Sequence, residues 1–288
     1  MCGTSFSKSL VSSLAGRLDA ELKAWRSRPL TAKAYPYVFV DARYEKVRVG
    51  HRVVGQGVLV ISAVRDDGLR EILGVEVSDT QSEATYQELF RSLKARGLKG
   101  VELVVSDEHE GLKAEVARHF QGASHQRCQV HYSRNLLGMV GAAKRKELGT
   151  DLRAIFATLA PEPALALASS VAEKWRAKGY PKIAEHIEEH IEECLSCLAF
   201  PEGHRRRIRT TNGLERLNQE IKRRTRVVRI FPNRQACLRL VTALAVLIRQ
   251  HLGTAVFIEP RVVLTYAEER RKLAEPSNQE IRRCQTGR

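Results

Sequence analysis

Leu10, Leu14, Leu18 and Leu22 recur at every fourth position, which predicts a helix within the first 34 residues, stopped by Pro29. The texture then changes to runs rich in Val and Ile, from Tyr37 to Val49, Val53 to Val64 and Glu71 to Val77. Gly50-His51 separates the first two and Asp66-Asp67-Gly68 the last two, the punctuation of a three-stranded antiparallel meander. Tyr86, Leu89, Phe90 and Leu93 share one face of a helix from about Glu83 to Arg96, with Gly97 behind it. Val101 to Val105 is a short apolar run ending at Ser106-Asp107, the pattern of a buried strand. Leu112 to Phe120 predicts another helix and Ser124 to Val130 a fifth strand. From about Ser133 to Cys197 the pattern is helical, broken near Pro161-Glu162-Pro163 and Gly179-Tyr180-Pro181.

The order is β-β-β-α-β-α-β-α, then an all-helical stretch, then a basic helical region. Three antiparallel strands followed by βα units is the strand order of an α/β ribonuclease-H-like core with a mixed sheet, here interrupted by an all-helical insertion. The expected division is a helical segment at 1–34, the first part of the core at 35–140, the insertion at 141–204, a basic helix region closing the core at 205–250, and a tail at 251–288. There is no internal repeat and no low-complexity tract.

Apolar residues make up 43% of the 288, enough to bury a full core and to exclude a disordered chain. The formal charge of +15 is unevenly spread: from Arg205 to Arg234 eleven Lys/Arg face two acids, a local excess of +9. A cationic block of that density points to a polyanion, nucleic acid before acidic membrane. The longest apolar run, Leu240 to Ile248, is too short to span a bilayer, and the N-terminal residues lack the apolar core of a signal peptide. Six scattered cysteines then read as reduced thiols, and a cytoplasmic, DNA-associated protein is expected.

Asp41 stands in the middle of the apolar run Tyr37-Val-Phe-Val-Asp-Ala-Arg, where an ionised carboxylate costs several kcal/mol (on the order of 2–7) unless something positive or hydrogen-bonding meets it. Asp107 ends the fourth strand. In a ribonuclease-H-like sheet the first and fourth strands are neighbours, so the two carboxylates would converge, and a divalent cation relieves their repulsion. A third acid from a later helix would complete an oxygen site for a pair of Mg²⁺ ions that activates water or a 3′-hydroxyl. The plain alternatives stay open at this stage. A lone strand Asp is more often a turn or salt-bridge residue. Glu215 fits a helix cap, with Asn212 as N-cap and Glu215 at the third position, and Glu220 on the same helix is the substitute acid.

Together the segments TAKAYPYVFVDARYEKVR (31–48), LVVSDEHEGL (103–112), QRCQVHYSRNLL (126–137) and TTNGLERLNQEIKRRTRVVRIFPN (210–233) resemble the mutator-type transposases, the bacterial insertion-sequence family with a DDE triad. The resemblance runs from about residue 4 to residue 245. It implies that Asp41, Asp107 and Glu215 bind the metals, Mg²⁺ or Mn²⁺ and two ions, in cleavage and strand transfer of DNA. It implies that Cys128 and His131 form the family's Cys-x-x-His motif, with His131 near the active site, in reach of the scissile phosphate. Two ligands do not complete a tetrahedral zinc site. Arg205, Arg206, Arg207, Lys222, Arg223, Arg224 and Arg226 are the expected phosphate contacts. Joining two element ends implies a homo-oligomer.

The chain departs from the family in three places. Members are usually longer at the N-terminus, where a helix-turn-helix-like region precedes the part seen here, so a truncated copy is expected. The sequence drifts after about Val246, and Tyr86 and Glu108 stand where the family more often has Trp and a small residue. The alternatives are an inactive DNA-binding remnant of such an element, or another ribonuclease-H-like nuclease. His186-Ile-Glu-Glu-His190 matches an inverted zinc-peptidase pattern, with Cys194 and Cys197 downstream. Five acids and no base from Glu185 to Glu193, with Ile187, Ile191 and Leu195 as a buried stripe, favour an ordinary amphipathic helix.

Overall fold

Three long Val/Ile-rich runs pair as the sequence predicts in the computed structural model, which describes residues 7–79, 82–107, 109–252 and 257–258. β1 (Tyr37–Val49), β2 (Arg52–Val64) and β3 (Arg70–Ser78) form the antiparallel meander. Gly50, at φ 58°, supplies the left-handed backbone that the tight β1–β2 turn requires. α2 (Glu83–Ala95) leads to β4 (Leu103–Ser106), and α3 (Glu110–His119) to β5 (Ser124–Arg127). Both new strands add in parallel, β4 against β1 and β5 against β4, so the sheet order is β3-β2-β1-β4-β5.

Side-chain alternation gives this sheet two apolar faces. Val38, Val40, Leu59, Ile61 and Val104 pack under α2 and α3, through Tyr86, Phe90, Leu93 and Leu112. Tyr37, Phe39, Val58, Val60, Leu103 and Val105 face the other way, into a larger core shared with every later helix. Those helices are α4 (Gln129–Gly138), α5 (Ala142–Phe156), α6 (Pro161–Ala177), α7 (Pro181–His190), α8 (Glu202–Ile208), α9 (Asn212–Thr225) and α10 (Arg234–Leu252). The expected breaks at Pro161 and Pro181 are helix starts, since each proline sits in a first turn where its missing N–H is an orphan anyway.

Two elements differ from their sequence patterns. β5 stops at Arg127 and not at Val130, because Cys128 N–H reaches back to Ser106 O and Cys128 O already accepts the first α4 bond from Tyr132. α1 (Lys8–Ser27) forms, but of its leucine row only Leu22 is buried, while Leu10, Leu14 and Leu18 are exposed. A four-residue step drifts about 40° per repeat around a helix, so the row winds off the packed face. α1 is held from its middle onward, by Asp19–Arg239, Arg26–Glu76 and the neighbouring Arg28–Glu71 ion pairs.

Candidate active site

Period-two alternation decides where the first two acids point. Asp41 has the strand parity of Tyr37 and Phe39, and Asp107 that of Leu103 and Val105, so both belong to the face covered by α9. β1 and β4 pair with Tyr37 opposite Leu103 and Phe39 opposite Val105. The ladder ends there, and Asp41 lies two residues beyond Phe39 on β1 while Asp107 directly follows the last residue of β4. With Tyr44, Tyr86, Ser106 and His109 they line a cleft of about 210 Å³. Tyr86, one of the departures from the family pattern, thus stands beside both acids. Glu108 lies outside the described residues.

α9 brings the third acid. Leu214, Leu217, Ile221 and Thr225 repeat at helical spacing and are buried against the sheet. Gly213, near the start of the helix, lies against the Arg70 guanidinium of β3. Asn218 lies in the buried stripe, and its Nδ2 donates to Asp41 Oδ2 at 2.6 Å. Glu215 stands one turn earlier on the same helix.

His131 lies among the acids. Its Nε2 is 2.8 Å from Glu215 Oε1 and its Nδ1 3.8 Å from Asp107 Oδ1. The closer approach has an ion-pair distance without hydrogen-bond direction, because Glu215 Oε1 is buried with no hydrogen-bond partner. Arg134, one turn further along α4, brings Nη2 to 3.7 Å from the same oxygen. α4 is fixed at its start: Gln129 N–H donates to Arg209 O at 3.1 Å, and Thr211 donates to Cys128 Sγ through both N–H and hydroxyl at 3.4 Å. Cys128 therefore ties α4 to the entry of α9, one helical turn below His131.

The electrostatics follow from burial and neighbours. Burial pushes the Asp41 carboxyl up, opposed by the Asn218 hydrogen bond and His131 and reinforced by the Glu215 charge. His131 is pushed up to about 9, first by the Cys128 side chain and, against burial, also by Asp107 and Glu215. Burial would raise the Cys128 thiol, but His131 and Thr211 outweigh it and hold it below its ordinary value.

The cap pattern read at Asn212 and Glu215 is shifted by one residue. Thr211, not Asn212, is the N-cap of α9, and no side chain caps it. Its hydroxyl is spent on Cys128. Glu220 lies five residues past Glu215, about 140° around the helix, and pairs with Arg223 and Arg224 at 3.0 and 2.9 Å. His186, His190, Cys194 and Cys197 make no metal cluster among the described residues. Ile187, Ile191 and Leu195 are buried as the amphipathic reading expects.

The expected phosphate contacts are scattered. Arg207, Lys222 and Arg226 are exposed, while Arg223 and Arg224 are partnered by Glu220. Arg205 donates to the carbonyls of Phe200 and Leu159, both at 2.7 Å, which is a structural duty. Arg206 turns instead into a separate cleft with Arg134, Arg145, Arg153 and Arg209. Sequence reading missed these last four and Asn218. The available signal for Asn218 was a polar residue in the apolar stripe of α9, three residues after Glu215.

A sequence profile described as "Transposase, Mutator family" matches residues 1–252. The chain is 44% identical over 241 residues to the transposase for insertion sequence element IS406 of Burkholderia multivorans, covering 83% of this chain and 61% of that protein. It is 43% identical over 246 residues to the transposase for ISRM5 of Rhizobium meliloti, covering 85% and 61%. Against the transposase for IS256 in transposon Tn4001 of Staphylococcus aureus it is 36% identical over 247 residues, covering 84% and 62%. The chain thus spans about 61% of the length of such curated relatives. On the profile across most of its length and on these identities, the chain belongs to the mutator family of transposases.

Proposed function

We propose that this chain carries the catalytic centre of an insertion-sequence transposase, cutting DNA phosphodiester bonds and joining the ends to a target in a reaction that depends on divalent metal. The observation that carries this reading is the gathering of Asp41, Asp107 and Glu215 around His131 where β4 ends beside β1, in the middle of a sheet ordered β3-β2-β1-β4-β5. That order, antiparallel then parallel, supports a ribonuclease-H-like core, with α5–α8 as the helical insertion before α9. The named relatives support the same activity, and carrying it to a chain of this span is part of the proposal.

The donor set suits a hard cation. Asp41 is a buried carboxylate whose charge is costly, and Glu215 Oε1 is a buried acceptor met by the ion-pair contacts of His131 and Arg134 without a directed hydrogen bond. As placed, no three His, Cys, Asp or Glu side chains among the described residues stand close enough to hold one ion. Asp107 and Glu215 both lean on His131, so holding the metal requires their side chains to turn from it towards Asp41. Asp41, Asp107 and Glu215 would hold Mg²⁺ or Mn²⁺, two ions by the family pattern, supplying Lewis-acid activation of the nucleophile and stabilisation of the leaving oxygen. Asn218 orients Asp41. His131 would then face a phosphate oxygen, to which a protonated imidazole donates a charge-assisted hydrogen bond.

The test is cleavage of an element-end duplex by the purified chain. Mg²⁺ and Mn²⁺ should support cutting and Ca²⁺ only binding, since its looser coordination misplaces the nucleophile. Asp41→Asn, Asp107→Asn and Glu215→Gln should each abolish cutting and leave DNA binding. Glu215→Gln should also leave stability within about 0.5 kcal/mol, because no cap is lost. Cutting retained in any of the three variants removes that residue from the centre, and a wild-type chain that binds but never cuts leaves a DNA-binding remnant.

A further inference from the structure

We propose that the cleft between α4, α5 and the α8–α9 corner grips a single DNA strand, with arginines on its phosphates and an apolar wall against its bases. The proposal rests on the reading of the neighbouring acids as a DNA-cutting centre. The cleft measures about 1060 Å³ and is lined by Arg134, Arg145, Arg153, Arg206 and Arg209 without one Asp or Glu. These five arginines come from three separate segments, so the fold and not a sequence run assembles them.

Their partners leave the charge available. Among the described residues Arg145 donates only to the carbonyls of Leu137 and Val140, and Arg153 only to the Thr150 hydroxyl. Among the described residues Arg145, Arg153, Arg206 and Arg209 form no ion pair, whereas Arg223 and Arg224 on α9 share Glu220. Four guanidinium groups without a carboxylate partner, beside an Arg134 that shares Glu215, repel one another and are stabilised by a multivalent anion. The floor between them is apolar. Leu137 and half-buried Phe156 line it, and the Phe156 ring is turned edge-on to Tyr132 with centroids 6.2 Å apart. Arginines beside an aromatic and aliphatic wall match a strand whose bases are exposed, not a duplex whose bases are stacked inside. The cleft also has a direction: Arg134 at its rim reaches Glu215 at 3.7 Å, and Asn212 of its lining opens α9. A strand lying there leads to the acid cluster.

The test measures binding of a 15-nucleotide single strand and a 15-base-pair blunt duplex by the whole chain, in EDTA, across a salt series. The variant is Arg153→Gln/Arg206→Gln/Arg209→Gln, whose three side chains make one hydrogen bond among the described residues, from Arg153 to Thr150. For the single strand its log-affinity against log-salt slope should be shallower by about 2, three contacts at roughly 0.7 each. Phe156→Leu keeps an apolar side chain and should weaken the single strand about fivefold or more with the slope unchanged. Thermal melting checks folding, and Arg206→Gln alone, shallower by about 0.7, replaces the triple variant if that does not fold. An unchanged single-strand slope, or a loss confined to the duplex, overturns the assignment of the cleft and leaves cleavage untouched. A wild-type chain that binds neither DNA overturns the cleft and the proposed function together.

Discussion

Asp41 sits where an apolar strand would place a valine, and burial raises its carboxyl pKa above the usual 3.8. The folded protein therefore binds a proton more tightly than the unfolded chain, and stability falls as pH rises from 3.8 through the raised value. At neutral pH the full cost of the buried charge is present, and a divalent cation is the natural relief. Accordingly Mg²⁺ or Mn²⁺ should raise the Tm of the wild-type chain at pH 7.5 and leave Asp41→Asn unmoved. Equal shifts in both proteins would place the ion elsewhere. Asn218 meets the same carboxylate from α9, and Asn218→Ala leaves Asp41 Oδ2 without its donor. Chemical denaturation should show a loss of about 1–3 kcal/mol, the cost of a buried unsatisfied polar group. A loss below about 0.5 kcal/mol would mean that water replaces the amide. At this scale Asp41 and Asp107 were legible because each interrupts or ends an apolar strand. Cys128 and His131 carried no signal beyond the family resemblance, since a Cys-x-x-His pair alone specifies no chemistry. Asn218 was hidden because a single amide in a helix stripe looks the same whether it meets solvent or a carboxylate.

Among the elements, α9 shows how far a charge run can be read. Its sequence holds Lys222, Arg223, Arg224 and Arg226 within five residues, which reads as a phosphate clamp. The helix geometry sets Glu220 three and four residues before Arg223 and Arg224, so the run is partly neutralised within itself. Glu220→Gln should then strengthen DNA binding at low salt, with the gain fading as salt rises towards 0.3 M. Unchanged affinity would show that this turn of α9 faces away from DNA. Strand and helix identity was otherwise largely visible in the pattern, because the meander alternates and α2 keeps Tyr86, Leu89, Phe90 and Leu93 on one face. The misses have local causes. β5 is cut short by α4, which begins at Gln129 once the Cys128 backbone bonds are made. The leucines of α1 fit a helix but not a face, because regular spacing does not reveal the drift of the row. The basic cleft was illegible for a different reason: Arg134, Arg145, Arg153, Arg206 and Arg209 span 76 residues and meet only through tertiary packing.

On the scale of the whole molecule, the sheet and the later helices share one core, and histidines sit at the seams between them. His204 on α8 is fully buried, with Nδ1 2.6 Å from the Tyr37 hydroxyl on β1. Burial lowers its pKa from 6.5 to about 4. His125 on β5, bonded to Ser106 at 2.8 Å, is likewise lowered to about 4 by burial. In both cases the unfolded chain takes up a proton below pH 6.5 while the native protein refuses it down to about 4, so stability is lost progressively across that window. For fully buried His204 the loss reaches about 3 kcal/mol by order of magnitude. His131 works in the opposite sense. Its folded value of about 9 lies above 6.5, so its contribution is fully present below 6.5 and is lost as pH rises through 9. Asp19, held down by the Arg239 hydrogen bond, adds to the acid loss only below the ordinary carboxylate range. The opposed histidines predict a stability maximum near pH 6.5, read as Tm in metal-free buffer from pH 4.5 to 9. His204→Gln, which keeps a polar partner for Tyr37, should flatten the acid limb and leave the alkaline limb alone. His131→Gln should flatten the alkaline limb and spare the acid one. An acid limb equally steep in His204→Gln would transfer that loss to His125 and the carboxylates and remove His204 from the account.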